Sequence, residues 1–137
     1  MVGRVGENEL SMQSVARFPN TPVQLRDGLH WDVLALYKSV LDGLTEASRF
    51  DSTIRSIGID SWAVDYAMMR SGRMLNVPYH YRDTRTSLGV REVEQKYPHR
   101  SLFERNGLQF LPFNTLYQLS VDRSWGTADI ADTALLI

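Results

Sequence analysis

The chain has 137 residues, 43% of them hydrophobic and 23% charged, enough to bury one ordinary core and consistent with one domain or part of one. Fifteen basic and 16 acidic residues leave a net charge of -1, so no global field draws the chain to nucleic acid or an anionic membrane, and the absence of cysteine excludes disulfides, thiolate metal sites and a cysteine nucleophile. No apolar run reaches membrane-spanning length and Met1–Leu10 has no signal-peptide core, which reads as a soluble, cytoplasmic chain.

Met1–Val5 and Glu9–Phe18 read as two strands joined by Gly6-Glu7-Asn8, a turn that favours antiparallel pairing. Leu10, Met12 and Ala16 fall on one face of the second strand, with Gln13, Val15 and Arg17 on the other. The first strand has no lead-in before Val2, which predicts residues ahead of Met1. Phe18-Pro19-Asn20-Thr21-Pro22 is a turn-rich connection. Asp32 then reads as a helix cap or first-turn acid, and Val33, Leu36, Tyr37, Val40, Leu41, Leu44 and Ala47 follow at spacings of three and four, predicting a helix from Asp32 to Arg49.

Ile54–Asp65 reads as a buried strand opening into a polar loop. Ile54, Ile57 and Ile59 suit a pleated sheet, Gly58 permits close approach to the backbone, and Asp60, Ser61 and Trp62 arrive where the strand ends, the edge at which open α/β sheets hold ligands. The same residues fit a plain core strand and turn, with Trp62 as core.

Tyr66–Met69 and Arg73–Val77 make a second hairpin around Ser71-Gly72, closed by Pro78. The cluster Tyr79-His80-Tyr81-Arg82-Asp83-Thr84-Arg85-Thr86 suits a phosphate or sugar-hydroxyl site, or a solvated loop whose Arg and Asp side chains pair with each other. A helix through Leu88, Val90, Val93 and Gln95 ends before Pro98, and a short one spans Ser101–Asn106, with Ser101 and Glu104 as a capping box and Gly107 as its stop. Asn114 is placed to cap a helix starting at Thr115. Asp122–Asp129 reads as a polar turn, and the apolar Thr133–Ile137 ends without a cap, so both ends read as cut from something larger.

No complete catalytic constellation stands out. His30, His80 and His99 lack metal-ligand spacing, and neither a G-x-S-x-G elbow nor a G-x-x-x-x-G-K-[ST] loop is present. Asp60 and Asp65 are a possible carboxylate pair, though sequence proximity alone assigns no acid or base.

Three blocks in order, S-I-G-I-D-S-W-A-V-D-Y (Ser56–Tyr66), V-P-Y-H-Y-R-D-T-R-T (Val77–Thr86) and G-L-Q-F-L-P-F-N-T-L-Y-Q-L (Gly107–Leu119), together with Trp31-Asp32, resemble the FGGY carbohydrate kinase family, and within it the branch acting on L-rhamnulose. The resemblance runs from Met1 to about Arg123. It implies transfer of phosphate from ATP, with Mg2+, to the C1 hydroxyl of L-rhamnulose in L-rhamnose breakdown. It also implies an α/β fold of the ribonuclease H-like, actin-like ATPase type, with residues 1–137 as part of the N-terminal, sugar-binding domain and the C-terminal domain absent. Trp62, Ala63 and Asp65 fall where the family holds its sugar, Ala63 at a position often occupied by glycine, and Phe113 and Asn114 lie in a block near that site.

The family's catalytic base, an aspartate in a His-Asp-Thr run, and its Gly-Ser phosphate loop have no counterpart in this sequence. The resemblance therefore implies no catalytic, nucleotide-binding or metal residue in this chain, and no turnover by it alone. It further implies a missing first strand between Met1–Val5 and Ile54–Asp60, with unpaired edges that favour poor folding or self-association. A xylulose, fuculose or glycerol kinase and a non-catalytic remnant are the alternatives.

Overall fold

A computed structural model describes residues 1–136. Ile137, the last residue of the expected apolar end, lies outside the described residues. The chain forms two compact units, Met1–Thr21 with Asp32–Asp60, and Pro22–Trp31 with Ser61–Ile137.

In the first unit, β1 (Val2–Val5) pairs antiparallel with β2 (Leu10–Gln13) in the register Val2↔Gln13 to Val5↔Leu10, and the turn closes through Gly6 N–H donating to the Glu9 carbonyl at 2.8 Å. The expected second strand to Phe18 stops at Gln13, because the four residues of β1 supply no ladder beyond Val2. Helix α1 (Val33–Phe50) begins where predicted: Asp32 Oδ1 accepts from the Ala35 N–H at 3.0 Å, satisfying one of the first-turn donors. Its apolar stripe is only partly covered, since Val40 and Leu44 remain 38% and 37% exposed. At its end, Arg4 Nη2 reaches Asp51 Oδ2 at 2.9 Å, and hydrogen bonds from Thr53, then from Arg4, hold the Asp51 carboxyl down to about 2.

The expected strand at Ile54–Asp60 is not formed. Residues 54–59 join no ladder among the described residues, and extended backbone gains nothing from β geometry without one; Ile57 and Ile59 are 68% and 80% exposed. These isoleucines line an open groove of about 820 Å³ with Val2, Val15, Val40 and Leu44.

The second unit carries the better-formed core. A short hairpin, β3 (Val23–Gln24) with β4 (Leu29–His30), runs into Trp31, whose N–H donates to the Pro78 carbonyl at 3.0 Å. Strand β5 (Tyr66–Arg70) is the centre of a three-stranded antiparallel sheet, flanked by β6 (Arg73–Met74) and β7 (Thr133–Leu136). The hairpin around Ser71-Gly72 is as expected, and Thr133–Leu136 of the apolar C-terminal run pairs along the open edge of β5.

Helix α2 (Thr86–Lys96) packs on α4 (Thr115–Ser124). Gly89 makes this approach possible: a methyl group there would collide with the Tyr117 backbone carbonyl. Glu92 fastens the pair by accepting from Ser120 Oγ at 2.7 Å and Ser124 Oγ at 2.8 Å, and these two bonds hold its carboxyl below the usual range. Between them, α3 (His99–Asn106) ends at Gly107 in the left-handed region, φ 66°, as expected. Its start differs, because Pro98 supplies the extended cap; Ser101 therefore lies inside the helix and Glu104 pairs with Arg100 at 2.8 Å instead of closing a capping box. The expected polar turn at Asp122–Asp129 is replaced by the end of α4 and a short α5 (Thr127–Ile130), with Asp122 drawn into the core by a buried partner described below. Among the described residues the strands form three separate small sheets, all antiparallel, and the chain is a mixed α/β protein.

Candidate functional site

The chemistry-bearing residues of the second unit converge where the loop before β5 meets the N-terminal end of α4. Asp65 is fully buried there, at 0% exposure, and both its oxygens are occupied. Oδ2 accepts from Trp31 Nε1 at 2.5 Å and from the Tyr81 N–H at 3.0 Å, and Oδ1 accepts from Gln118 Nε2 at 2.9 Å. A buried carboxyl group that accepts from three donors has its hydrogen-bonding capacity met inside the core, and it fixes the groups around it.

Gln118, 1% exposed, continues the network. Its amide nitrogen also points at the carbonyls of Val64 (3.3 Å) and Phe113 (3.1 Å), while its Oε1 accepts from Arg85 Nη2 at 3.1 Å. The orientation of this amide is unambiguous: guanidinium can only donate, and carbonyl and carboxylate oxygens can only accept. Arg85 in turn pairs with Asp122 Oδ1 at 3.1 Å, both side chains almost wholly buried, and Asp122 Oδ2 accepts from the Tyr66 hydroxyl. Burial, then the Asp122 carboxylate, pushes the Tyr66 phenol far above its ordinary value, so it remains a donor.

One residue in this loop is strained. Val64 sits at φ 72°, left-handed backbone that costs a β-branched residue about 1–3 kcal/mol. The conformation persists because Thr115 Oγ1 donates to its carbonyl at 2.8 Å, alongside Gln118.

Around the loop runs a series of ring contacts. Trp62 stacks on Trp31 at 4.0 Å, Trp31 meets His80 at 4.0 Å, His80 stacks on Tyr81 at 4.5 Å, and Tyr81 meets the edge of Phe113 at 5.7 Å. Burial pushes the His80 ring below the usual imidazole value, against the pull of Asp65, and its Nδ1 accepts from the Arg82 N–H at 3.0 Å, so the proton of the neutral ring is on Nε2. Trp62 Nε1 is buried and has no hydrogen-bond partner among the described residues, a deficit of about 1–3 kcal/mol for a lone donor.

The five residues singled out in the sequence take different places. Trp62, Phe113 and Asn114 are half-buried and Ala63 is exposed, so these four lie at the surface of the site, whereas Asp65 lies beneath it with its acceptor positions filled. Asn114 occupies the position before α4 but does not cap it with its side chain, which donates instead to the Gln109 carbonyl at 3.4 Å. Asn114 and Val64 also border a groove of about 890 Å³ walled by Leu102, Phe103, Phe110 and Tyr117. Within the Tyr79–Thr86 cluster, Tyr79, His80, Asp83, Arg85 and Thr86 are buried and partnered inside the fold, Asp83 accepting from the N–H groups of Leu29 (2.7 Å) and Arg85 (2.8 Å), while Arg82, Asp83, Thr84 and Arg85 border an open pocket of about 530 Å³.

Sequence reading missed Gln118 and Asp122. Both belong to one stripe of α4, Thr115, Gln118 and Asp122 at i, i+3 and i+7, a polar row on the face that also buries Val121. That row is a signal for a buried network once α4 is drawn through to Ser124.

None of the described residues form a cluster of three metal-ligating side chains, and the buried carboxylates Asp65, Asp83 and Asp122 are committed to internal donors. No helix is long and apolar enough to cross a membrane.

Comparison with known proteins gives the site its context. No family-wide sequence profile matches the chain. It is 35% identical over 133 residues to a rhamnulokinase of Yersinia pestis bv. Antiqua (strain Angola), and 40% identical over 111 residues to a rhamnulokinase of Pectobacterium carotovorum subsp. carotovorum (strain PC1). The chain is a relative of the rhamnulokinases. The matches cover 96% and 80% of this chain but 27% and 22% of those rhamnulokinases, so it spans about a quarter of their length. A rhamnulokinase of Pectobacterium atrosepticum matches in the same way, at 39% identity over 111 residues. The similarity to rhamnulokinases agrees with the resemblance carried by the three blocks quoted above.

Proposed function

We propose that this chain is the sugar-holding part of a rhamnulokinase-type enzyme, from a ribonuclease H-like N-terminal domain, and that its ligand is L-rhamnulose. In the whole enzyme the sugar's C1 hydroxyl receives phosphate from ATP with Mg2+. The observation that carries the reading is the constellation at the loop Trp62–Asp65, with Ala63 exposed and Trp62 and Phe113 as half-buried aromatic walls, inside a sequence match to rhamnulokinases. Aromatic faces with a few fixed polar groups suit a sugar, whose ring has apolar C–H faces and a rim of hydroxyls.

Phosphoryl transfer depends on positioning and charge stabilisation, and these residues supply the positioning alone. With no His-Asp-Thr run and no phosphate loop in the sequence, the chain alone is expected to give no turnover of ATP and sugar. The test is an amide-resolved NMR titration with L-rhamnulose, L-fuculose, D-xylulose and glycerol. The reading expects saturable shifts at Trp62, Ala63 and Asn114 that are strongest for L-rhamnulose. A stronger response to another sugar moves the chain to a different branch of the same kinases, and no response to any of them leaves a non-binding remnant.

A further inference from the structure

We infer that Gln118, assisted by Thr115, is a positioning residue for the sugar site, clamping its two arms to each other through backbone carbonyls. The inference rests on the sugar-site reading above. One arm is the loop Trp62–Asp65 and the other is Phe113–Asn114, 51 residues further on in the case of the Thr115 contact. Gln118 Nε2 is the atom both arms share: it lies 3.3 Å from the Val64 carbonyl, 2.9 Å from Asp65 Oδ1 and 3.1 Å from the Phe113 carbonyl.

Val64 shows why a clamp is required. Its left-handed backbone is unfavourable for a β-branched side chain, so the peptide carrying Ala63 has its present direction only while the Val64 carbonyl is held. Thr115 Oγ1 and Gln118 hold it from adjoining turns of α4. Release would let Val64 relax, rotate the backbone at Ala63 and separate the exposed face of that residue from Phe113. Gln118 itself touches no exposed surface, and acts through the two arms.

The neutral amide is the group this position needs. Around it stand the carboxylate of Asp65 from the loop, the guanidinium of Arg85 from the start of α2, and Asp122 one turn along α4, itself bonded to Arg85 and Tyr66. An ionised carboxylate at 118 would keep the Arg85 contact but face two carbonyls and Asp65 with no proton to offer. Protonated, it would regain one donor.

The experiment compares the chain with Gln118→Glu, Gln118→Met and Thr115→Val by the same L-rhamnulose titration, at about pH 7.5 and about pH 5, on either side of the range in which a carboxyl near a like charge titrates. Affinity is expected to fall roughly tenfold for Gln118→Met at both pH values, and for Gln118→Glu at the higher pH with recovery at the lower, the scale of one or two lost hydrogen bonds. Thr115→Val, the milder change, should weaken binding roughly threefold and serves if the Gln118 variants do not fold. Binding unchanged in Gln118→Met or Thr115→Val, or Gln118→Glu without pH dependence, overturns the inference while leaving the sugar-site reading intact. If the unaltered chain binds no sugar, the sugar-site reading fails. The amide positions then decide the clamp: Val64 and Asn114 moving together in the variants supports it, and either remaining in place overturns it.

Discussion

Arg85 and Asp122 lie 3.1 Å apart with side chains 4% and 3% exposed, and each would be costly to bury without the other. Asp122→Asn leaves the guanidinium uncompensated and is expected to cost about 3–5 kcal/mol, measured as a fall in the urea midpoint with Tyr66 fluorescence altered. An unchanged midpoint would mean the pair does not hold the core. His80 gives the pH dependence. Burial lowers its pKa in the folded state, so below the ordinary imidazole value the unfolded chain binds the extra proton first. Stability is therefore full above about pH 6.5 and declines as pH falls toward the lowered value, and His80→Gln should flatten this part of a thermal-melt profile. The identities of these residues were visible in the sequence, their roles were not. Asp122 sits in a run of polar residues that reads as a turn, and its partner is 37 positions away, beyond the reach of any local pattern. The sequence singled out Asp65 only through the resemblance of its loop to the kinase family, and the fold shows three donors converging on it from three segments.

Helices and hairpins were legible to the extent that their causes are local. Helix α1 follows from a cap and a period of three to four, the β5–β6 turn from Ser71-Gly72, and the end of α3 from Gly107. Ile54–Asp60 shows the limit, since β-branched residues favour a strand but a partner's backbone makes one. The α2–α4 contact depends on a glycine that looks unremarkable in a helical pattern. Gly89→Ala is expected to destabilise by about 1–3 kcal/mol despite the ~1 kcal/mol that alanine returns through helix propensity, because the obstacle is a backbone carbonyl that cannot move aside. Denaturant unfolding checks this, and a gain in stability would show the two helices separating freely.

At the scale of the whole molecule, the two units differ in how well they close. The second unit buries a continuous polar network from Trp31 through Asp65, Gln118, Arg85 and Asp122 to Tyr66. The first leaves Val5, Leu10, Ile57 and Ile59 between 68% and 84% exposed beside backbone with no ladder partner among the described residues. Such a surface favours association, so sedimentation of the chain should depend on concentration, and Ile59→Lys should reduce that dependence. A monomer at every concentration would contradict the expectation. The kinship with rhamnulokinases was readable from three separated blocks, whereas the depth of Asp65 and the strain at Val64 required the fold.

The central claim is that the loop Trp62–Asp65 and Phe113–Asn114 together hold a ketose. The most direct measurement is an intermolecular NOE experiment on the chain with L-rhamnulose, observing the Trp62 indole, the Ala63 methyl and the Phe113 ring. The account predicts NOEs from all three to the same bound sugar. Saturable binding with NOEs only to residues outside this loop and Phe113–Asn114 would contradict it.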